Sequence, residues 1–243
     1  MQFFGKSDTG KKRRENQDSF VTEQLYDNAV LCLVCDGMGG AAAGNIASQL
    51  ALERFTEHKR ETNCKNYSHE QICKLLETAL EDANTAVHDK AKSEPALSGM
   101  GTTLVAAVAT QTKVAIINVG DSRAYKINAD GITKITNDHS LVADMVRMGE
   151  LTEEQAEAHP GKNLITRAVG TDVTVTGDVF FPDVKQGEFI LLCSDGLSNL
   201  VSEQEMLYEV IYGGSQEDCC ARLIDIANNR GGFDNITVVL LAF

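Results

Sequence analysis

What most restricts the fold of this chain is a long gap between its first buried strand and the next. The run from Ala29 to Cys35 in "AVLCLVCDGMGG" is apolar throughout and stops at Asp36 and a set of glycines, the pattern of a fully buried strand closed by a turn. A helical segment follows from about Gly44 to His58, then the polar stretch "KRETNCKNYS" and a second helix in "HEQICKLLETALEDANTAVHDKA". There Ile72, Leu75, Leu76, Ala79, Leu80, Ala83, Ala86 and Val87 form one stripe. No strand returns until about Thr102. Gly37, Gly39 and Ala42 have the G-x-G-x-x-A spacing of a nucleotide loop. Such a loop, however, needs a parallel strand soon after its helix and an acidic residue roughly 20 positions on. The context excludes it.

The remaining strands come in groups. Thr102 to Ala109, Val114 to Val119, Phe189 to Cys193 and Ile236 to Phe243 read as buried strands. Shorter runs lie at Ser19 to Leu25, Arg123 to Asn128, Ile132 to Thr136 and Val173 to Phe181, and two more helices follow Ser202. Adjacent strands with helices gathered between them predict an α+β domain of antiparallel sheets covered by helices. At 243 residues and 43% hydrophobic content, with no linker-like stretch, one domain over residues 1–243 is expected.

Charge and cysteine usage narrow the function. A net charge of -13 argues against a nucleic-acid partner, which needs a basic footprint. Seven scattered cysteines suit a reducing compartment better than a disulfide scaffold. Cys32 and Cys35, at odd separation in one strand, face opposite sides. The start of the chain lacks a signal-like apolar core, and no run approaches the ~18 apolar residues of a membrane span. A cytoplasmic protein is expected.

A second pattern carries the chemistry. Apolar runs end in aspartate at Asp36 ("LCLVCDG"), Asp121 ("AIINVGDS") and Asp195 ("FILLCSDG"), and Asp234 opens the last strand in "FDNITVVLL". One such residue is an ordinary turn signal. Four carboxylates at strand ends would repel one another and lose hydration, a cost that a divalent cation between them relieves. Oxygen ligands favour Mg²⁺ or Mn²⁺. Of the five histidines, His58, His69, His88, His139 and His159, none pairs at zinc spacing.

The segments "GKKRRENQDSF", "VCDGMGGAAAGNIAS", "GMGTTLVAA", "NVGDSRAY", "NDHSLV", "NLITRAVG", "LLCSDGL" and "FDNITVVLL" occur in this order along the chain. The whole resembles the metal-dependent type 2C Ser/Thr protein phosphatases, in their compact bacterial branch. That resemblance implies a four-layer α/β/β/α sandwich, two antiparallel sheets flanked by helix pairs. It implies Mn²⁺ or Mg²⁺ as two core ions plus a weaker third. Asp36 would bridge the core pair, with the Gly37 carbonyl, Asp195 and Asp234 completing the set. Asp121 with Asp195 would hold the third ion, and Asp18 would stand near the second. Arg13 would grip the substrate phosphate.

The implied activity is one-step hydrolysis of phosphoserine and phosphothreonine in proteins by metal-activated water, reversing eukaryotic-like Ser/Thr kinases in a bacterium. Phosphorylated proteins and their cognate kinases are then the partners, and the protein is a monomer. The alternative is a catalytically silent module that binds phosphoproteins as a scaffold. Leu141 to Gly170 resembles the family flap beside the active site. Gln17 stands where many members have a glutamate, and Ala41 and Asn45 replace a His and a Glu, so no histidine is assigned as general acid. His139 within "NDHS" reads as structural.

Overall fold

A computed structural model describes residues 1–25, 29–40, 43–57 and 68–243, apart from the Glu157 side chain. Ala41, Ala42, His58 and Cys64 lie outside the described residues. The chain forms two antiparallel sheets. The first has the order β1 (Gln2–Asp8), β11 (Ile236–Ala242), β10 (Phe189–Cys193), β7 (Arg123–Asn128), β8 (Gly131–Lys134). The second runs β2 (Asp18–Gln24), β3 (Val30–Met38), β5 (Leu104–Ala109), β6 (Val114–Val119), β9 (Asp178–Phe180), with the two-residue β4 (Gly101–Thr102) on β3.

Alternation along the strands sorts their side chains into separate layers. Leu31, Leu33 and Cys35 join the core under α1 (Ala43–Glu57) and α2 (His69–Ser93). Val30, Cys32 and Val34 instead pack between the sheets with Val239, Leu241, Ile190 and Leu192. Cys32 and Cys35 thus face opposite ways, as the period of two requires. Beyond the first sheet, Leu191, Val238 and Leu240 pack on α6 (Glu203–Ile211) and α7 (Cys219–Asn229). The result is the α/β/β/α sandwich, with each fully buried Leu or Ile contributing roughly 1.5–3 kcal/mol.

Helix α2 begins where Ser68 and Gln71 form a reciprocal capping box: Gln71 N–H donates to Ser68 Oγ at 3.3 Å, and Ser68 N–H to Gln71 Oε1 at 2.8 Å. Its buried face is Ile72, Leu76, Ala79, Leu80, Ala83, Asn84 and Val87, so the stripe is right except that Leu75 and Ala86 lie at its half-buried border.

Three sequence expectations are corrected. Strand β1 was not anticipated, because its edge position on β11 leaves it half exposed and blurs the alternation. The Val173 to Phe181 run forms a strand only at Asp178–Phe180, where it pairs with Ile116–Asn118. Strand β3 continues to Met38, so Asp36 sits inside the strand and not just past its end.

Candidate active site and metal centre

The five aspartates meet at one end of the sandwich. Asp36 on β3 is directly opposite Asp18 on β2. Asp121 follows β6 in the turn that begins at Gly120, Asp195 opens the short helix α5 (Asp195–Ser198) after β10, and Asp234 stands just before β11. Asp36, Gly37, Asp121, Asp195 and Asp234 line one cleft of about 540 Å³ together with Arg13. Asp18, 7% exposed, is buried next to Asp36 and does not itself line the cleft.

Local hydrogen bonds fix each of these positions. The Asp36 N–H donates to Thr103 Oγ1 at 2.9 Å, while the Asp36 carbonyl accepts from the Thr103 N–H at 2.9 Å and the Thr102 hydroxyl at 2.8 Å. Thr103 Oγ1 also meets Ser122 Oγ at 2.7 Å, tying Asp36 to the turn that carries Asp121. Beside Asp36, a Cβ on Gly37 would stand 2.0 Å from the Gly44 carbonyl oxygen. Glycine there lets the N-terminus of α1 close onto β3.

Asp18 joins the two sheets. Its Oδ2 accepts from Ser194 Oγ at 2.8 Å and Thr237 Oγ1 at 2.6 Å, and Ser194 Oγ in turn accepts the Thr237 N–H at 3.0 Å. Ser7 Oγ contacts Thr237 Oγ1 at 2.7 Å and accepts from Asn16 Nδ2 at 2.7 Å. Hydroxyls therefore carry a directed chain of donors into the carboxylate. Asn235, 3% exposed, does the same for the loop holding Arg13: its Nδ2 donates to the Thr9 and Glu15 carbonyls, each at 2.9 Å, and its Oδ1 accepts the Gln17 N–H at 2.9 Å.

The electrostatics are those of crowded anions. Burial, opposed by the Thr237 and Ser194 hydrogen bonds and aided by Asp195 and Asp234, pushes Asp18 up to about 7. Burial and the Asp195 charge take Asp121 to about 7 as well. Asp36 is held well above the carboxylate range by burial and then by Asp18 and Asp195, and Asp195 is raised by burial and by Asp234. Arg13 answers part of this charge, its NH2 donating to Asp234 Oδ2 at 2.6 Å.

The donor set fits a hard divalent cation. It is all oxygen, and Asp18 Oδ1 and Asp195 Oδ1 are buried without a hydrogen-bond partner, an arrangement that costs free energy unless a cation is close. Among the described residues no three His, Cys, Asp or Glu side chains stand close enough together to hold one ion between them. The carboxylates are instead spread along an open cleft, which suits ions that keep part of their water shell.

Residues 141–170 border this cleft through Asn163 and Ile165. The excursion carries α3 (Leu141–Arg147) and α4 (Glu153–Glu157) and is pinned at its base. Leu141 N–H donates to the Leu164 carbonyl at 2.8 Å, Thr166 N–H to the His139 carbonyl at 2.8 Å, and Val169 pairs with Thr102. His139 is 4% exposed; its Nδ1 accepts the Gly120 N–H at 3.0 Å and its Nε2 faces Asp178 at 3.2 Å. It is behind the Asp121 turn and does not line the cleft.

Of the six residues expected to form the centre, Asp36, Gly37, Asp121, Asp195 and Asp234 line one cleft with Arg13, while Asp18 is buried beside Asp36. Gln17 and Asn45 separate in role: Gln17 Nε2 donates to the Gly40 carbonyl at 2.8 Å and lines the cleft, whereas Asn45 is an exposed residue of α1. Sequence reasoning missed Thr102, Thr103, Ser194, Asn235 and Thr237. Each adjoins a site aspartate or lies within three residues of one, or stacks beside it as the Thr102–Thr103 pair does, and only the motifs "GTT" and "DNIT" hinted at them.

Residues 7–222 match the family model described as protein phosphatase 2C. Over 236 residues the chain is 39% identical to the serine/threonine phosphatase stp of Listeria innocua, covering 97% of this chain and 93% of that protein. The crystal structure of Stp1 from Staphylococcus aureus superposes with a TM-score of 0.93 at 35% identity, covering 100% of this chain and 94% of that one. The catalytic domain of PstP, solved with 2 manganese ions, matches with a TM-score of 0.85 at 32% identity, over 98% of this chain and 96% of that one.

Proposed function

The chain belongs to the protein phosphatase 2C family, and from this premise we propose how its residues carry out metal-dependent hydrolysis of phosphoserine and phosphothreonine in proteins. The observation that carries the reading is the gathering of Asp36, Asp121, Asp195, Asp234 and Arg13 around one open cleft, with Asp18 buried beside Asp36. Asp36, the Gly37 carbonyl, Asp195 and Asp234 would hold two Mn²⁺ or Mg²⁺ ions, with Asp36 serving both; Asp121 with Asp195 would hold a weaker third, and Asp18 would support the second.

When bound, the ions supply Lewis-acid charge that makes water acidic enough to act as nucleophile near neutral pH and that offsets the phosphoryl oxygens. The protein's own contribution is charge and position. Arg13, half exposed at the mouth, offers a planar fork of donors to two phosphoryl oxygens. Its bond to Asp234 aims it across the cleft. Thr103 is the one hydroxyl-bearing side chain in the described lining of the cleft, and its oxygen is already engaged with Asp36 and Ser122. Cysteine and histidine are absent from the described lining. Those features leave no free hydroxyl, thiol or imidazole nucleophile in the described lining, and with the aspartates assigned to the ions the nucleophile in this reading is water, while solvent in the open cleft protonates the leaving alkoxide. Residues 141–170, through Asn163 and Ile165, form a cover that helps select protein substrates.

We place the activity in a single catalytic domain, residues 1–243, acting as a monomer against the products of Ser/Thr kinases. The six described cysteines are all free, which supports a reducing, cytoplasmic setting. Among the described residues no helix is long and apolar enough to cross a membrane.

The test is hydrolysis of a phosphothreonine peptide with manganese, magnesium or excess chelator, beside Asp36→Asn and Asp234→Asn. Manganese-dependent release, abolished by chelator and lowered at least about 100-fold by either substitution, is expected. Full turnover by Asp36→Asn would overturn the assignment.

A further inference from the structure

We infer that Lys11, Lys12 and Arg14 form a recognition surface for an anionic group, a carboxylate or a second phosphate, carried by the substrate next to its phosphorylated residue. The inference rests on the phosphatase reading and deepens it by naming a substrate class.

The first observation is where the charge lies. A chain of net charge -13 concentrates four consecutive cations, Lys11 to Arg14, in one loop. All four are exposed, and Arg13 and Arg14 line the cleft. The second is pairing. Arg13 is committed to Asp234, whereas Lys11, Lys12 and Arg14 make no side-chain ion pair or hydrogen bond among the described residues. Arg14 is therefore the one unpaired cation in the described lining of the cleft. Glu15, the single anion of the run, lines the cleft beside it and leaves the loop strongly positive.

The third observation is that the loop is held in place. Lys11 N–H and Lys12 N–H both donate to the Gly232 carbonyl, at 2.8 and 3.1 Å. Gly10 N–H bonds Asp8 Oδ1 at 2.8 Å with φ +77°, and a Cβ there would lie 2.1 Å from the Asp234 carbonyl oxygen. Together with the Asn235 bonds to Thr9, Glu15 and Gln17, these contacts fix the backbone under the cations while their side chains stay in solvent. A preformed backbone lowers the ordering cost of binding. Screening limits its reach to about 8 Å at physiological salt, so only residues flanking the phosphorylated one are read.

The experiment compares phosphothreonine peptides flanked by alanine, by glutamate or by a second phosphoserine, on either side, at low and at about 0.5 M salt. Each exposed ion pair is worth about a two- to fivefold factor, so wild type should favour an acidic flank by about tenfold in kcat/KM, carried by KM and collapsing at high salt. Lys11→Gln, Lys12→Gln and Arg14→Gln combined should reduce the preference to under about twofold and leave the alanine-flanked peptide nearly unchanged. The glutamate and phosphoserine arms tell which anion is read. Equal use of alanine and acidic flanks by wild type, or a preference that survives in the triple variant, overturns the inference while the phosphatase reading stands. Hydrolysis of none of the peptides would take down that reading and this inference with it.

Discussion

Thr103 shows how much of this site depends on residues that hold the aspartates in place. Its hydroxyl accepts the Asp36 N–H and meets Ser122 beside Asp121. Thr103→Val keeps shape and volume but strands a buried N–H, which costs about 1–3 kcal/mol. Chemical denaturation should show a loss of that size, and titration calorimetry a Mn²⁺ affinity lowered about tenfold as Asp36 loses its fixed orientation. A variant with wild-type affinity and stability would show that the clamp is dispensable. At this scale the sequence discloses the carboxylates and hides their supports. Asp36, Asp121, Asp195 and Asp234 are legible because each stands at the end or the start of an apolar run. Thr103 and Thr237 sit inside such runs, where a threonine reads as one more β-branched residue.

Among elements, the approach of α1 to β3 is a tight requirement. A Cβ on Gly44 would fall 2.7 Å from the Gly37 carbonyl oxygen and 2.8 Å from Gln17 Oε1. Helix propensity alone favours alanine over glycine by up to about 1 kcal/mol. Gly44→Ala is nonetheless expected to destabilise, by about 1–3 kcal/mol, because one contact is backbone and the helix must shift to relieve it. The sign of the change in urea midpoint decides between propensity and packing, and a stabilised variant would mean that α1 moves freely. The strands next to this contact were legible because they are buried on both faces. Strand β1, a half-exposed edge, was not, and β9 was legible only as a longer run, because it pairs over only three residues. Pairing partners far away in the chain, such as Gln2 with Ala242, leave no local signal.

For the whole molecule, the carboxylate cluster sets opposing demands on folding and function. In protein stripped of metal, Asp18 and Asp121 titrate near 7, against 3.8 for a free carboxylate, and Asp36 and Asp195 move the same way. Folding therefore takes up protons between about pH 4 and 7, and stability, complete below that window, is lost as pH rises through it. The growing negative charge of an already acidic chain acts in the same direction. A bound cation reverses the sign locally, because it favours the ionised carboxylates. Thermal unfolding in excess chelator should thus show a Tm that falls from pH 5 to pH 8, equivalent to a few kcal/mol. Saturating Mn²⁺ should remove that slope and raise Tm most at the alkaline end. Asp18→Asn should flatten the chelated profile, since the amide still meets the Ser194 and Thr237 hydroxyls without carrying charge. A chelated wild type whose Tm climbs toward pH 8 would show that these four carboxylates are relieved within the protein itself, and the pull toward a divalent cation would have lost its physical basis.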